Sequence, residues 1–263
     1  MKPNRFVEAL SPYRITPQDV WSSTAPNNLL KLDWNESPFD FSWYRSQLAS
    51  IVQQDGLIAW YPDCLSIELT NELSKFVNVS ANLILTFPGS DVGLDILCRA
   101  YLESDDFVLS LSPTYQNFYV FVAQTGARIV EHMVFPPNLP NADSLVDIVS
   151  KHPKIKAVYI SRPNNPLGYT ISACEIEKFS LLHPDVLVIV DEAYIEFAEE
   201  PSCAALVERI PNLVVARTFS KAFGMAGIRI GYLCASLEIV NTLNKIRNGK
   251  NITMISQRLA VSA

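Results

Sequence analysis

From about residue 83 onward the chain alternates between short runs of β-branched or apolar residues and longer amphipathic stretches. Runs of this length and composition are typical of buried strands. They predict strands at 83–87, 107–111, 128–134, 157–161, 186–191, 213–217 and 229–234. Strands that alternate with helices pair in parallel, and the helices then cover both faces of the sheet. The pattern therefore predicts an α/β fold.

The clearest predicted helix follows the first of these strands. Leu94, Leu97, Cys98 and Tyr101 have the i, i+3, i+4, i+7 spacing that gives a helix one apolar face. In open α/β sheets, ligands bind at the carboxyl ends of the strands, where strand meets helix. The residues at these junctions are therefore the candidates for a functional site.

Composition limits the classes of function. The 263 residues are 49% hydrophobic, with a formal net charge of −6, and lack the clustered lysines and arginines that bind a phosphate backbone. Five widely spaced cysteines without a CxxC pair indicate reduced thiols rather than disulfides or a zinc site, and predict a cytoplasmic protein. No run of about eighteen apolar residues is present to span a bilayer. We expect neither a nucleic-acid nor a membrane partner.

The stretch PGSD at 88–91 lies between the first strand and its helix. Free amides of the turn and of the helix N-terminus can hold a phosphate, with the Ser90 hydroxyl as a further donor. On the stretch alone, the favoured interpretation is that Ser90 or Asp91 serves as the helix N-cap. A GxGxxG dinucleotide fingerprint is absent. The stretch alone leaves both interpretations open.

Aromatic and amide side chains follow two further strands. Tyr115 opens a helix after the second strand, where a ring packs in the core or stacks on a flat ligand. Asn164, Asn165 and Pro166 follow the fourth strand, where they form a turn or direct amide donors towards a ligand.

The fifth strand is apolar throughout and ends in Asp191 and Glu192. A carboxylate at that depth needs a partner, because burying it unpaired is costly. The partner is either a cation within the protein, in a structural salt bridge, or a cationic ligand nitrogen such as a pyridinium.

The junction after the sixth strand, RTFSKAFGMAGIRIGY at 217–232, places Lys221 among small and apolar residues. A lysine kept from water loses proton affinity and attacks carbonyl groups to give a Schiff base. The planar fork of Arg229 suits a phosphate. Lys221 could instead be a surface charge, whereas a hydrolytic dyad with Ser220 is disfavoured because adjacent side chains on one turn point apart.

Seven motifs occur in a fixed order: NESP (35–38), YPD (61–63), GSD (89–91), SPTY (112–115), PNNPLG (163–168), DEAYIEF (191–197) and the stretch at 217–232. Together they resemble the fold-type I pyridoxal-phosphate enzymes, and within them the histidinol-phosphate aminotransferase group. The resemblance runs from about residue 30 to the end, and the last three motifs are the most specific. It implies a three-layer α/β sandwich with a mostly parallel mixed sheet, which is the large domain of that fold type.

The resemblance also implies roles at the reacting end of pyridoxal 5′-phosphate. Lys221 would hold the cofactor through a Schiff base and then move the proton between the substrate Cα and the cofactor. Asp191 would pair with the pyridinium nitrogen. Tyr194 and Asn165 would hydrogen-bond the phenolic oxygen of the ring, and Tyr115 would stack on the ring.

Further residues would hold the phosphate or face the substrate. The resemblance assigns the phosphate to Ser90, Asp91 (through backbone amides), Thr218, Ser220 and Arg229. Asn35 would line the substrate side. Tyr61 would reach the cofactor of a second subunit, which implies a homodimer.

The resemblance divides the chain into an N-terminal arm and small-domain segment (1–60), a cofactor-binding large domain (61–245) and the start of a C-terminal small domain (246–263). We expect that last domain to be truncated, and with it the arginine that grips the substrate α-carboxylate in the family to be missing. Two motifs depart from the family: Leu167 replaces a threonine, and FPGSD replaces Arg-Gly-Ala-Asp or Gly-Asn-Gly-Ser-Asp, so one phosphate contact is expected to differ.

The implied function is that of an aminotransferase of amino-acid biosynthesis. It would transfer an amino group between a small, phosphorylated, histidinol-phosphate-like amine or amino acid and a 2-oxo acid. Two alternatives stay open: a pyridoxal-phosphate decarboxylase of serine or threonine phosphate, and a truncated, catalytically silent cofactor-binding protein.

Overall fold

The computed structural model of the chain describes residues 3–11, 21, 24, 30–39 and 42–263. The remaining positions of the predicted N-terminal segment lie outside the described residues. The described α-helices are α1 (Arg5–Glu8), α2 (Trp43–Ile51), α3 (Ile67–Val77), α4 (Ser90–Tyr101), α5 (Asn117–Ala123), α6 (Ala142–Lys151), α7 (Ala173–Leu182), α8 (Leu237–Asn244) and α9 (Met254–Val261). The described strands are β1 (Ile84–Phe87), β2 (Phe107–Ser112), β3 (Arg128–Met133), β4 (Ile155–Ser161), β5 (Leu187–Asp191), β6 (Leu213–Thr218) and β7 (Gly231–Ala235).

The strands form one mixed sheet in the order β1-β7-β6-β5-β4-β2-β3. Strand β7 is antiparallel to both of its neighbours, and the other pairs are parallel. The seven strands predicted from the sequence are confirmed, each with bounds within two residues. The α/β architecture with a mostly parallel mixed sheet is confirmed as well.

Helices cover the sheet on both faces, so that the fold has three layers. Along β5, Leu187 and Ile189 pack into the core shared with α4, α5 and α8, whereas Val188 and Val190 pack into the core shared with α3, α6 and α7. Side chains alternate across a strand, and a central strand covered on both faces is therefore apolar at every position. This explains why the sequence shows continuous apolar runs.

Helix α4 has the apolar face that its sequence predicts. Leu94, Leu97 and Cys98 are buried in the core beneath it, and Tyr101 is partly buried. Gly93 allows close packing, because a Cβ there would lie 3.0 Å from side-chain atoms of Leu233 and Phe87. The helix is thereby held tightly against the sheet.

Strand β7 begins two residues later than predicted because of its preceding turn. Arg229 has φ 56°, in the left-handed region, which an extended strand does not use. Gly231 then passes so close to the start of α4 that a Cβ there would overlap the backbone of Gly89 and Ser90. The turn at Arg229 and the first turn of α4 therefore meet.

The N-terminal segment contains more helix than the one short helix expected. The described part has the single turn α1, capped by Asn4, and the longer α2. Helix α2 forms because Tyr44 and Ile51, seven residues apart, lie on one face and pack against the core. Helix α9 packs against α2 and α3. Within the described part of the chain, no helix is both long and apolar enough to cross a membrane.

The packing of α4 gives a first prediction. Leu97→Ala should lower the free energy of unfolding by about 2–5 kcal/mol, because Leu97 is 0% exposed and its removal leaves a cavity. The matched control is Leu181→Ala on α7, where the side chain is 59% exposed and the expected change is within about 0.5 kcal/mol. Urea denaturation of both variants measures the difference, and similar losses would contradict the assigned packing.

Candidate active site

The carboxyl ends of the parallel strands bring the predicted site residues to one edge of the sheet. Ser90 follows β1, Tyr115 follows β2, Asn165 follows β4, Asp191 ends β5 and Lys221 follows β6. Strand β1 joins this set because both β1 and β6 run antiparallel to β7. Residues up to 131 positions apart in sequence (221 − 90) therefore share one edge, as expected for a ligand site in an α/β sheet.

Asp191 is a buried carboxylate whose described partners are neutral. Its Oδ2 accepts a hydrogen bond of 2.7 Å from the Tyr159 hydroxyl, and its Oδ1 accepts one of 3.1 Å from the Ala193 amide. Burial raises the pKa of Asp191 to about 6, although the Tyr159 hydrogen bond opposes the shift and the charge of Asp91 adds to it. The described part of the chain offers Asp191 no ion-pair partner.

Glu192, the next residue, has the protein cation instead. Its Oε1 accepts a hydrogen bond of 2.7 Å from Nη1 of Arg162, and both side chains are 0% exposed. Arg162 also donates to the carbonyl oxygens of Ile171 and Pro201. Of the two interpretations of Asp191-Glu192, the salt bridge therefore applies to Glu192.

Sequence reasoning missed both Arg162 and Tyr159. Arg162 directly follows the apolar strand β4, and Glu192 directly follows β5. Two opposite charges at equivalent positions of adjacent strands could have predicted this salt bridge. Tyr159 lies inside β4, where a hydroxyl on a fully buried strand needs a polar partner. Its ring stacks on Phe118, with centroids 3.8 Å apart.

Lys221 is a partly buried amine at the open edge of this site. Its Nζ donates a hydrogen bond of 2.6 Å to the Trp34 carbonyl oxygen and lies 5.6 Å from the centroid of the Tyr194 ring. Burial lowers the pKa of Lys221, although the charges of Asp91, Glu36 and Asp191 oppose the shift. Its hydrogen bond is to Trp34, and not to Ser220 as a hydrolytic dyad would need.

Thr218, Ser220 and Arg229 form a cluster of donors beside the start of α4. The Thr218 hydroxyl lies 3.0 Å from the Ser220 Oγ, and Arg229 Nη1 donates to the same Ser220 oxygen at 3.3 Å. A Cβ on Gly89 would collide with the Arg229 guanidinium, so glycine leaves the space that this side chain occupies. The cluster can bind an anion through two hydroxyls and a guanidinium.

The first turn of α4 contributes backbone donors to the same place. The N-cap is Gly89, with no side-chain cap in the described structure, so neither Ser90 nor Asp91 serves as the N-cap. The free amides and the positive end of the helix dipole favour an anion there. Of the two interpretations of PGSD, the geometry favours the anion site.

Tyr115 connects the core to the site. Its ring packs partly into the core under α4 and α5, and its hydroxyl donates a hydrogen bond of 3.1 Å to Asp91 Oδ1. Burial and the charge of Asp91 raise the pKa of Tyr115, and burial also raises the pKa of Asp91. The Tyr115 phenol therefore stays protonated and donates.

Two cavities adjoin the site on either side of Asn35 and Phe197. The first, of about 410 Å³, contains Lys221, and the second, of about 660 Å³, is lined by Asn165 and Tyr194. Asn35, with φ 50°, donates from Nδ2 to the Tyr194 hydroxyl at 3.0 Å. The N-terminal segment thus supplies part of the wall.

Tyr61 lies apart from these residues. Its side chain is 78% exposed, and its described contact is with Lys250, whose Nζ lies 4.4 Å from the ring centroid. Within one chain the structure therefore brings together the predicted site residues except Tyr61.

Comparisons with known proteins agree with this arrangement. The family model "Aminotransferase class I and II" matches residues 27–263. The dihydroxyacetone phosphate transaminase of Campylobacter jejuni is 33% identical over 264 residues, which are 100% of this chain and 71% of that protein. Histidinol-phosphate aminotransferase 1 of Psychrobacter arcticus is 32% identical over 97% of this chain and 67% of its own length.

A solved structure shows the same fold. The histidinol-phosphate aminotransferase of Sinorhizobium meliloti, in complex with pyridoxal-5′-phosphate, superposes with a TM-score of 0.87 at 26% identity. The match covers 99% of this chain and 70% of the solved chain.

The pKa of Asp191 gives a second prediction. Between about pH 4 and pH 6, Asp191 is protonated in the folded chain and ionised in the unfolded chain. Its contribution to the free energy of unfolding is therefore fully present below about pH 4 and is lost as the pH rises through 6. Relative to wild type without added ligand, Asp191→Asn should gain roughly 2 kcal/mol of unfolding free energy between pH 4 and pH 7. Urea denaturation at both pH values measures this gain. Asp185→Asn, on the surface, is the control for loss of a carboxylate, and an equal gain there would contradict the assignment.

Proposed function

Because the chain belongs to the class I and II aminotransferases, we propose that it transfers an amino group between a small phosphorylated amine or amino acid and a 2-oxo acid, with pyridoxal 5′-phosphate as cofactor. The observation that carries this proposal is the pair formed by Lys221 and Asp191 at the ends of adjacent strands. One is an amine whose pKa burial lowers, and the other a buried carboxylate whose described partners are neutral.

The residues present fit this cofactor. The donors of Thr218, Ser220 and Arg229, with the free amides at the start of α4, suit a phosphate. Asp191 suits a protonated ring nitrogen, because a cation beside it would favour its charged form and offset the cost of its burial. When bound, the cofactor supplies an aldehyde that captures amines and a ring that accepts an electron pair.

Lys221 is suited to capture and to move a proton. Since burial lowers the pKa of its amine, a larger fraction is neutral near pH 7 and can act as nucleophile and as base at the substrate Cα. The Tyr159 hydroxyl holds Asp191 by a 2.7 Å hydrogen bond, which fixes the direction of the carboxylate. Asn35 fixes the Tyr194 hydroxyl in the same way, and we assign Tyr194 and Asn165 to the phenolic oxygen of the ring.

The proposed substrate class follows the relatives. One is named for dihydroxyacetone phosphate and another for histidinol phosphate, and each name contains a small phosphorylated compound. The decarboxylase and the silent cofactor-binding protein are not favoured, since these relatives are named as a transaminase and an aminotransferase.

A second copy of the chain is the proposed partner. Large apolar side chains are exposed around Tyr61, namely Ile58, Trp60, Leu65 and Ile67. Exposed apolar patches of this kind mark protein interfaces. A homodimer would cover them and carry Tyr61 towards the second active site, which its position outside its own site supports.

We assign the chain to three parts and to the cytoplasm. The large domain would span 61–245, with 1–60 and 246–263 as segments of a smaller unit. The packing of α9 against α2 supports this pairing of the two ends. Five free cysteines support a reducing compartment.

Removing the amine tests the proposed chemistry. Lys221→Ala should lower turnover of a phosphorylated amine with a 2-oxo acid by about 100- to 10,000-fold, because proton transfer by a positioned side chain contributes that much. It should also slow the conversion of bound cofactor to its amine form by a similar factor, although the cofactor aldehyde can still condense with the added amine and change in absorbance. Lys178→Ala, at an exposed ion pair with Asp143, is the control. Retained turnover in Lys221→Ala would contradict the assignment.

Sedimentation tests the dimer. The wild-type chain should sediment at twice its 29.4 kDa mass, and Ile58→Asp with Leu65→Asp should sediment as a monomer with reduced turnover. Leu181→Asp, which places a charge at another exposed leucine, is the matched control. If the Ile58 and Leu65 variant remains dimeric, the interface lies elsewhere.

A further inference from the structure

A small basic group follows helix α8. Lys245, Arg247 and Lys250 lie within six residues, in a chain whose net charge is −6. Ten other described lysines and arginines are held in ion pairs, whereas these three, like several more, have none within the described part of the chain. Arg247 instead donates to the Asn244 side chain and to the Cys64 carbonyl oxygen. The basic group is therefore available to an external anion.

Lys250 is placed directly on Tyr61. Its Nζ lies 4.4 Å from the ring centroid, well inside the distance at which a cation is attracted to an aromatic face. Tyr61 is 78% exposed and Lys250 is exposed, so the pair projects outward together.

The backbones that carry this pair are joined at several points. Gln257 Nε2 donates to the Asp63 carbonyl oxygen at 3.0 Å, and Arg247 Nη2 donates to the Cys64 carbonyl oxygen at 3.4 Å. Gly249 lies so close that a Cβ there would be 3.2 Å from the same oxygen. The segments 61–64 and 247–257 therefore form one unit, and wherever Tyr61 is carried, Lys250 goes with it.

We propose that Lys250 enters the active site of the second subunit beside Tyr61 and binds an anionic group of the substrate, remote from the reacting amine. This inference rests on the proposed homodimeric aminotransferase. The cofactor phosphate in each site already has Arg229, two hydroxyls and the helix amides as donors. A further cation is therefore left for the substrate, where a phosphate or carboxylate is the matching chemistry. Lys250 is a specificity-determining residue supplied in trans.

Matched donors test the substrate side. The probes are histidinol phosphate and serinol phosphate, the amine that corresponds to dihydroxyacetone phosphate, each paired with its unphosphorylated alcohol. Lys250→Met should raise KM for the phosphorylated donors so that kcat/KM falls roughly 10- to 100-fold, as expected for loss of a charge-assisted hydrogen bond. It should leave the unphosphorylated donors unchanged, and Lys250→Arg should recover most of the loss. Lys245→Met, on the same segment, is the matched control.

Mixed dimers test whether Lys250 acts in trans. Two dimers, isolated with different affinity tags, contain the same two substitutions in different distributions. In the first, one subunit has Lys221→Ala and the other has Lys250→Met, so the remaining Lys221 receives Lys250 from its partner. In the second, one subunit has both substitutions, so the remaining Lys221 faces a partner without Lys250.

We expect the first dimer to keep wild-type kcat/KM per intact site and the second to show the 10- to 100-fold loss. The reverse result would place Lys250 in its own subunit's site and overturn the proposal, as would equal activity of both dimers. Failure of the proposed function is distinguished in the wild type, whose bound cofactor would then not be converted to its amine form by any of these donors.

Discussion

The site depends first on one buried ion pair, between Arg162 and Glu192. Both side chains are 0% exposed, and two carbonyl oxygens complete the hydrogen bonds of the guanidinium. Breaking such a pair leaves a buried charge, at a cost of about 3–5 kcal/mol, so the pair fixes the ends of β4 and β5 against each other. Adjacent side chains point to opposite faces, so the cation beside Glu192 does not serve Asp191, whose described partners are neutral. Asp191 therefore favours a positive group because it is buried without a cation of the described chain beside it.

Glycine provides the second constraint, at the place where strand β7 meets helix α4. Gly231 passes against the backbone of Ser90, and Gly89 leaves room for the Arg229 side chain. Neither position accommodates a Cβ, so the antiparallel strand brings a guanidinium to a helix N-terminus that has no cap of its own. Strand β7 is the antiparallel strand of an otherwise parallel sheet, and the turn that leads into it places Arg229 at the anion site.

The strands could be predicted from the sequence because burial on both faces requires continuous apolar runs, as in Val188 to Val190. The residues at the junctions could be predicted because parallel strands end at a common edge. The sequence did not decide which side chains pair with each other, for example whether Asp191 or Glu192 has a cation as its partner. Such pairings depend on residues that are distant in sequence and are brought together only by the fold. The contact of Lys221 with Trp34 was beyond reach for the same reason, as no local pattern links residues 187 positions apart. The roles assigned to these residues, and the position of Tyr61 in a second subunit, stay predictions.

The 187 positions between Trp34 and Lys221 also bear on how easily the lysine can change its hydrogen-bond partner. Closing a loop of 187 residues from an unfolded chain costs about 5 kcal/mol of entropy, far more than a single hydrogen bond returns. The strand pairing of the sheet already holds together most of the chain between residues 34 and 221, so the Lys221–Trp34 hydrogen bond contributes little to closing this loop. Lys221 can therefore exchange the Trp34 carbonyl for another partner at the cost of one ordinary hydrogen bond, while the rest of the fold stays intact.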